Sequence, residues 1–201
     1  MNERETILTA ITANKPAFIP APDLIFGHRP TVIEDLQSRF AATLQSIGGT
    51  AYIVDNYEAV ATSIRDAKST GEWIVNTIPE VGVIDPAINS EQTATDLERV
   101  HIAYIRGSVA VAENGAIWVK ESQAVNRLLP FICQHLVLVV DATLIVPTMH
   151  EAYSQIAIGE EGYGVFIAGP SKTADIEQAL VIGAHGPRSL VVYLVQPANP
   201  V

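Results

Sequence analysis

The chain has 201 residues, enough to bury a core without disulfide or metal staples, and at ~150 residues per domain it holds one domain with an arm. Twenty-two acidic residues against 12 basic ones give a net charge of −10 and a pI of about 4.8, which argues against nonspecific binding to nucleic acid or to an anionic membrane. Hydrophobic residues make up 48% and the mean hydropathy is +0.25, so the chain is not disordered, yet its longest purely aliphatic stretch, Leu136 to Val140, is far too short to cross a bilayer.

Residues 3–13 read as a short helix with Ile7, Leu8 and Ile11 on one face. Pro16, Pro20 and Pro22 then forbid a regular helix and favour an extended linker. Residues 1–29 are therefore expected to be an arm that packs on the domain or on a partner, a second copy included, with the domain over 30–201. Within it, Thr31 to Ile47 fits a helix whose Val32, Leu36, Phe40 and Leu44 recur at i+4, ended by Gly48-Gly49. Ala51 to Val54 is a short strand. Asp55 or Asn56 can cap a helix over about Tyr57 to Ala67, and Glu72 to Asn76 is another strand. This strand–helix–strand alternation suits a βαβ unit.

From Ile102 the pattern changes. His101 to Arg106 is strand-like. Val109 to Glu113 and Ala116 to Lys120 flank Asn114-Gly115, the signal of a tight type I′ hairpin. Residues 135–140 read as a buried strand, Pro147 to about Ile158 as a helix, Gly164 to Ala168 as a strand, Thr173 to Val181 as a helix, and Leu190 to Gln196 as the last strand. The expected fold class is α/β, with a mixed, mostly parallel sheet flanked by helices.

Three segments carry candidate chemistry. In the first, Gly169-Pro-Ser-Lys-Thr, the strand before and the helix expected after place Ser171, Lys172 and Thr173 at a helix N-terminus. Backbone N–H groups and the dipole favour an anion there, and Lys172 adds a charge. A plain helix cap, with Asp175 and Glu177 complementing the dipole, explains the same residues. The second is Gly183-Ala-His-Gly-Pro-Arg-Ser189. Arg188 can clamp a carboxylate or phosphate and His185 can move protons near neutral pH, while a Gly-Pro turn with a solvated Arg is the plainer alternative. The third is Glu113. Pointing inward it would be a candidate acid, base or nucleophile, and pointing outward a solvated turn residue.

A single cysteine, Cys133, cannot form an internal disulfide or supply the thiolates of a zinc ribbon or iron–sulfur cluster, and its neighbours suggest a small buried residue. The five histidines never stand at i+3 or i+4, so no local metal-ligand pair exists, and no P-loop or G-x-S-x-G elbow is present. The first residues lack a basic segment followed by an apolar run, which leaves a cytoplasmic protein as the expectation.

Gly169-Pro-Ser-Lys-Thr-Ala-Asp-Ile-Glu177, followed by Gly183-Ala-His-Gly-Pro-Arg-Ser189 and a hydrophobic strand, resembles the C-terminal signature of LUD-domain proteins, the LutC/YkgG lactate-utilization family. Ala112-Glu113-Asn114-Gly115, Arg127-Leu-Leu-Pro130, His135 to Val140 and Ile145-Val-Pro147 follow the family's order and spacing. The likeness covers about residues 100–196. This chain departs from the family at Asn114, where Thr is usual, and at Lys172, where Arg is usual, and Lys lacks the planar fork for bidentate recognition. The resemblance implies a fold similar to the NagB/RpiA/CoA-transferase-like superfamily. It also implies a role in oxidising L-lactate to pyruvate beside LutA- and LutB-like iron–sulfur partners, which would hold the clusters, so that this chain binds no cofactor of its own. The ligand would be a small anionic metabolite, held by Ser171, Lys172, Thr173 and Arg188 with Asp175 and Glu177 nearby, and Glu113 or His185 would handle a proton. Ala112-Glu-Asn-Gly115 also looks like the Ser-Glu-Asn-Gly segment whose Glu is the nucleophile of family I CoA-transferases. That leaves two alternatives: an acyl- or CoA-transferase-like enzyme with Glu113 as nucleophile, and a ligand-binding module without turnover.

Overall fold

The computed structural model describes residues 2–20, 33–157, 159, 162–173 and 181–197. The chain divides into two units, Met1–Pro30 and Thr31–Val201. In the first, α1 (Glu3–Ala13) starts with a capping box in which Asn2 Oδ1 accepts the Glu5 N–H and the Glu5 carboxylate accepts the Asn2 N–H. Its apolar residues Ile7, Leu8 and Ile11 are all exposed.

The second unit opens with α2 (Ile33–Ser46), whose Leu36, Phe40 and Leu44 are buried as their spacing predicts. Gly48, at φ +92°, ends the helix. The Gly49 N–H donates to Leu44 O and the Gly48 N–H to Gln45 O, which makes a Schellman cap. Next come β1 (Thr50–Val54), α3 (Glu58–Lys68), β2 (Ile74–Asn76), α4 (Ala94–Leu97) and β3 (Ile102–Arg106). Then follow β4 (Val109–Val111), β5 (Ile117–Lys120), the short helices α5 (Glu121–Ala124) and α6 (Leu129–Ile132), and β6 (His135–Asp141). β7 (Ile145–Val146), α7 (Met149–Ser154), β8 (Gly164–Ile167) and β9 (Ser189–Val195) complete the described elements.

The strands form two sheets, one wholly parallel and one mixed. One has the order β1-β9-β6-β3-β2 and every neighbouring pair is parallel. The other has the order β7-β4-β5-β8, with β4 parallel to β7 and antiparallel to β5, and β5 antiparallel to β8. The main core lies between them and takes in Ile105, Leu138 and Val192 from the first sheet, Ile117 and Val119 from the second, and Phe40 of α2. On the opposite face of the parallel sheet, Val60, Ile64 and Ala67 of α3 pack with Ile74, Tyr104 and Val137.

The chain passes from one sheet to the other at Gly107, where a Cβ would stand 2.4 Å from Ile117 Cγ2 and 2.8 Å from Val140 Cγ2. Only a residue without a side chain lets β3 turn so closely over the core.

Two expectations need correction, and a third lies mostly outside the described residues. The β4–β5 turn is not a two-residue type I′ loop, because only Gly115 has positive φ (+71°) and Asn114 does not. Instead Val111 pairs with Ala116, the Gly115 N–H donates to Val111 O, and Asn114 Oδ1 accepts the Ala116 N–H. Ala112 is drawn out of the hairpin by donating to Val146 O at the end of β7. The helix expected from Pro147 is shorter and ends at Ser154, and Thr148 is its cap. The helix expected over Thr173 to Val181 falls mostly on residues outside those described. Its two ends pair with each other as extended backbone, since Lys172 bridges Ile182 in antiparallel fashion and the Thr173 N–H donates to Val181 O at 3.1 Å.

Gly107→Ala is expected to destabilise the protein by about 1–3 kcal/mol through overpacking, read as a lowered urea midpoint at unchanged m-value.

Candidate functional site

β4, β7 and β8 run in the same direction, and their carboxyl ends lead into Glu113, Thr148 and Gly169. The C-terminal turn of α2 lies against two of these exits. A Cβ on Gly115 would stand 3.3 Å from Leu44 Cα, and one on Gly169 (φ +75°) would stand 2.9 Å from Ile47 O. Thr43 Oγ1 adds a hydrogen bond to Ala112 O at 3.0 Å. The turn that carries Glu113 and the loop that carries Lys172 are thus seated on the same helix end.

Glu113 points outward. Its carboxylate accepts the Met149 N–H at 3.0 Å and so satisfies a free donor at the start of α7.

Ser171, Lys172 and Thr173 sit in paired backbone, and the helix expected to follow them lies mostly outside the described residues. The Ser171 N–H donates to Pro187 O at 2.9 Å, and the Thr173 N–H and Oγ1 both donate to Val181 O at 3.1 Å. Those N–H groups are engaged within the protein. Lys172 Nζ and Cε both lie 3.7 Å from the position of a Gly48 Cβ, at the carboxyl end of α2. The helix terminus that Lys172 meets is therefore the negative one, whose dipole its charge complements.

The structure brings the first two segments together. The Gly183 N–H donates to Ser171 O, and a Cβ on Gly186 would stand 3.0 Å from Ser171 Cβ. A Cβ on Gly183 would stand 2.5 Å from Arg188 Cγ, so the missing side chain seats Arg188. His185 and Arg188 are both exposed. Asp175 and Glu177 lie outside the described residues.

Three further polar residues gather beside this loop. His135 and Ser189 are register partners at the start of β6 and β9, joined Nδ1 to Oγ at 2.7 Å. The His101 ring meets His135 edge-on at 5.1 Å, and the Arg188 N–H donates to Gln134 O. Burial lowers the His135 pKa, and His101 and Arg188 push it the same way. Sequence reading missed this group because 54 residues separate its partners. The one available signal was two polar residues, His135 and Ser189, each directly before a hydrophobic run.

Among the described residues no group of three or more His, Cys, Asp or Glu side chains can hold a metal ion, and no helix is long and apolar enough to cross a membrane. Cys133 is buried and its thiol is pushed up to about 12 by desolvation.

A parallel sheet packed on a smaller mixed one, with a glycine-rich loop folded back before the last strand, defines an α/β domain of mixed, mostly parallel type. The chain belongs to the LUD domain family, whose model matches residues 38–195. It is similar to lactate utilization protein C of Geobacillus kaustophilus (strain HTA426), 26% identical over 171 residues, which are 82% of this chain and 70% of that protein. The protein of that name from Bacillus pumilus (strain SAFR-032) is 33% identical over 104 residues, 49% of this chain and 43% of that one. The one from Bacillus subtilis (strain 168) is 29% identical over 116 residues, 54% and 48% respectively. The chain thus matches less than half the length of two of these three relatives. A crystal structure of a DUF162 family protein from Deinococcus radiodurans superposes with a TM-score of 0.62 at 20% identity, covering 83% of this chain and 99% of that one, and supports the fold alone.

Two outcomes are expected. Glu113→Ala removes a charge-assisted contact to a helix start and lowers stability by about 1 kcal/mol, measured by urea unfolding. His135 binds its proton less tightly folded than unfolded. Its contribution is full above about pH 6.5 and is lost as the pH falls from there through the lowered value, so the urea midpoint drops with acidity. His135→Gln flattens that slope.

Proposed function

We propose that this chain is a lactate utilization protein of the C type, one component of a system that oxidises L-lactate to pyruvate. The observation that carries the reading is the match to lactate utilization protein C of G. kaustophilus over 82% of the chain. The oxidation releases two electrons and two protons. Iron–sulfur partners like LutA and LutB would take the electrons, because the sole cysteine here is buried and its thiol stays protonated at neutral pH.

Within that system the chain would hold a small carboxylate rather than transfer electrons. Arg188, His185 and Lys172 supply the cationic and polar side chains, and Ser171 and Thr173 the hydroxyl groups. The engagement of the Ser171 and Thr173 N–H groups favours side-chain recognition over a backbone anion nest. The acyl-transfer alternative has less support, since the Glu113 carboxylate is exposed and one of its oxygens accepts the Met149 N–H. A non-catalytic ligand-binding role fits the same side chains and differs in needing no iron–sulfur partner.

A strain lacking this gene is expected to lose growth on L-lactate as sole carbon source while growing normally on pyruvate. Normal growth and lactate oxidation in that strain would overturn the proposal. Cys133→Ala is expected to restore growth to the deletion strain as well as the unaltered chain does.

A further inference from the structure

Among the described residues, the face of the parallel sheet turned away from the second sheet is covered by α3 over β2 and β3 and left open toward the starts of β9 and β1. In that opening lies a concavity of about 300 Å³, within the size range of small-molecule sites. Its walls differ in character from end to end. Val191, Tyr193 and the half-exposed Tyr52 form an apolar, aromatic side, with the two tyrosine rings 5.6 Å apart. On the α3 side, Ser63 and the Tyr104 hydroxyl are hydrogen-bonded to each other at 2.9 Å. The end at which the strands begin carries His135 and Ser189. Arg188 adjoins Ser189 and is fastened through its N–H to Gln134 O, one residue before His135.

We infer that this concavity binds a monocarboxylate with an aromatic or branched apolar tail, the carboxylate received by His135, Ser189 and Arg188 and the tail lying on Tyr52, Val191 and Tyr193. Charge complementarity picks the occupant. The polar end carries an imidazole and a hydroxyl hydrogen-bonded to each other, and the Arg188 charge lies close enough to act on the imidazole, so the field there favours an anion. The groups that act on the His135 proton are burial, His101 and Arg188, and all three disfavour it, a cost that a bound anion would offset. The rest of the concavity offers ring faces and a β-branched side chain, which suit a tail larger than a methyl group.

The inference rests on the reading of Arg188 as a carboxylate contact. It is separable from the role in lactate utilization, because binding is read on the purified full chain and growth is not involved. The probes are 3-phenyllactate, L-lactate and 2-phenylethanol, titrated while the His135 imidazole and the Tyr52 and Tyr193 ring resonances are followed by NMR. Saturable shifts of all three residues with 3-phenyllactate are expected. L-Lactate, which lacks the tail, and 2-phenylethanol, which lacks the carboxylate, should each bind about tenfold more weakly or worse. His135→Gln and the exposed-site variant Arg188→Gln should each weaken 3-phenyllactate by about five- to tenfold, and the second leaves the sheet untouched. Absence of saturable shifts, equal binding of the alcohol, equal binding of L-lactate, or unaltered affinity in Arg188→Gln with the fold retained would each overturn the inference.

Discussion

The C-terminal turn of α2 is the piece on which the positions around the candidate site depend. A helix end leaves carbonyl groups without partners, and here the Schellman cap at Gly48 and Gly49 satisfies two of them locally. That frees the outer surface of Leu44 to Gly48 for close packing. Gly115 and Gly169 both come within van der Waals distance of backbone there, each at positive φ, with tight space for a Cβ at Gly115 and none at Gly169. One helix end therefore sets both the turn after β4 and the exit of β8. The buried Phe40 and Leu44 anchor that end in the core.

This seating decides the surroundings of the residues with chemical potential. Lys172 lies over a helix carboxyl end, where its charge is already complemented, and Glu113 reaches across to the start of α7. Both charges thus also serve the fold. The loop between β8 and β9 closes on itself through the Ser171, Thr173 and Gly183 N–H groups, so its recognition capacity lies in side chains, above all those of His185 and Arg188. Residues ahead of β6 and β9 add His135 and Ser189, which share one ladder position.

Local pattern revealed much of the fold. The i+4 stripe of α2, the alternation around β1, α3 and β2, and the hydrophobic runs of β6 and β9 all appear where periodicity places them, because each signal lies within one segment. The Asn-Gly signal gave the right hairpin and the wrong turn, since the pairing of Ala112 with β7 and the packing of Gly115 on α2 compete with a tight loop. Ser171 to Thr173 followed a strand and preceded polar residues, which suggests a helix start. Their pairing partners, Val181 and Gly183, lie eight to twelve residues away and leave no mark in the local pattern. The two glycine-bearing signatures were legible as motifs, but not as one closed loop.

The sequence by itself determined the α/β class, the helices and strands with strong periodicity, the inert buried thiol, the exclusion of a positive field and the likeness to the LUD domain family. Each depends on composition or on residues near one another along the chain. Only the tertiary structure decided that the strands form one wholly parallel sheet and one mixed sheet, that Lys172 meets a helix carboxyl end, and that His135 stands beside Ser189. Those outcomes depend on strand order and register, which hydrogen bonds and core packing select between segments tens of residues apart.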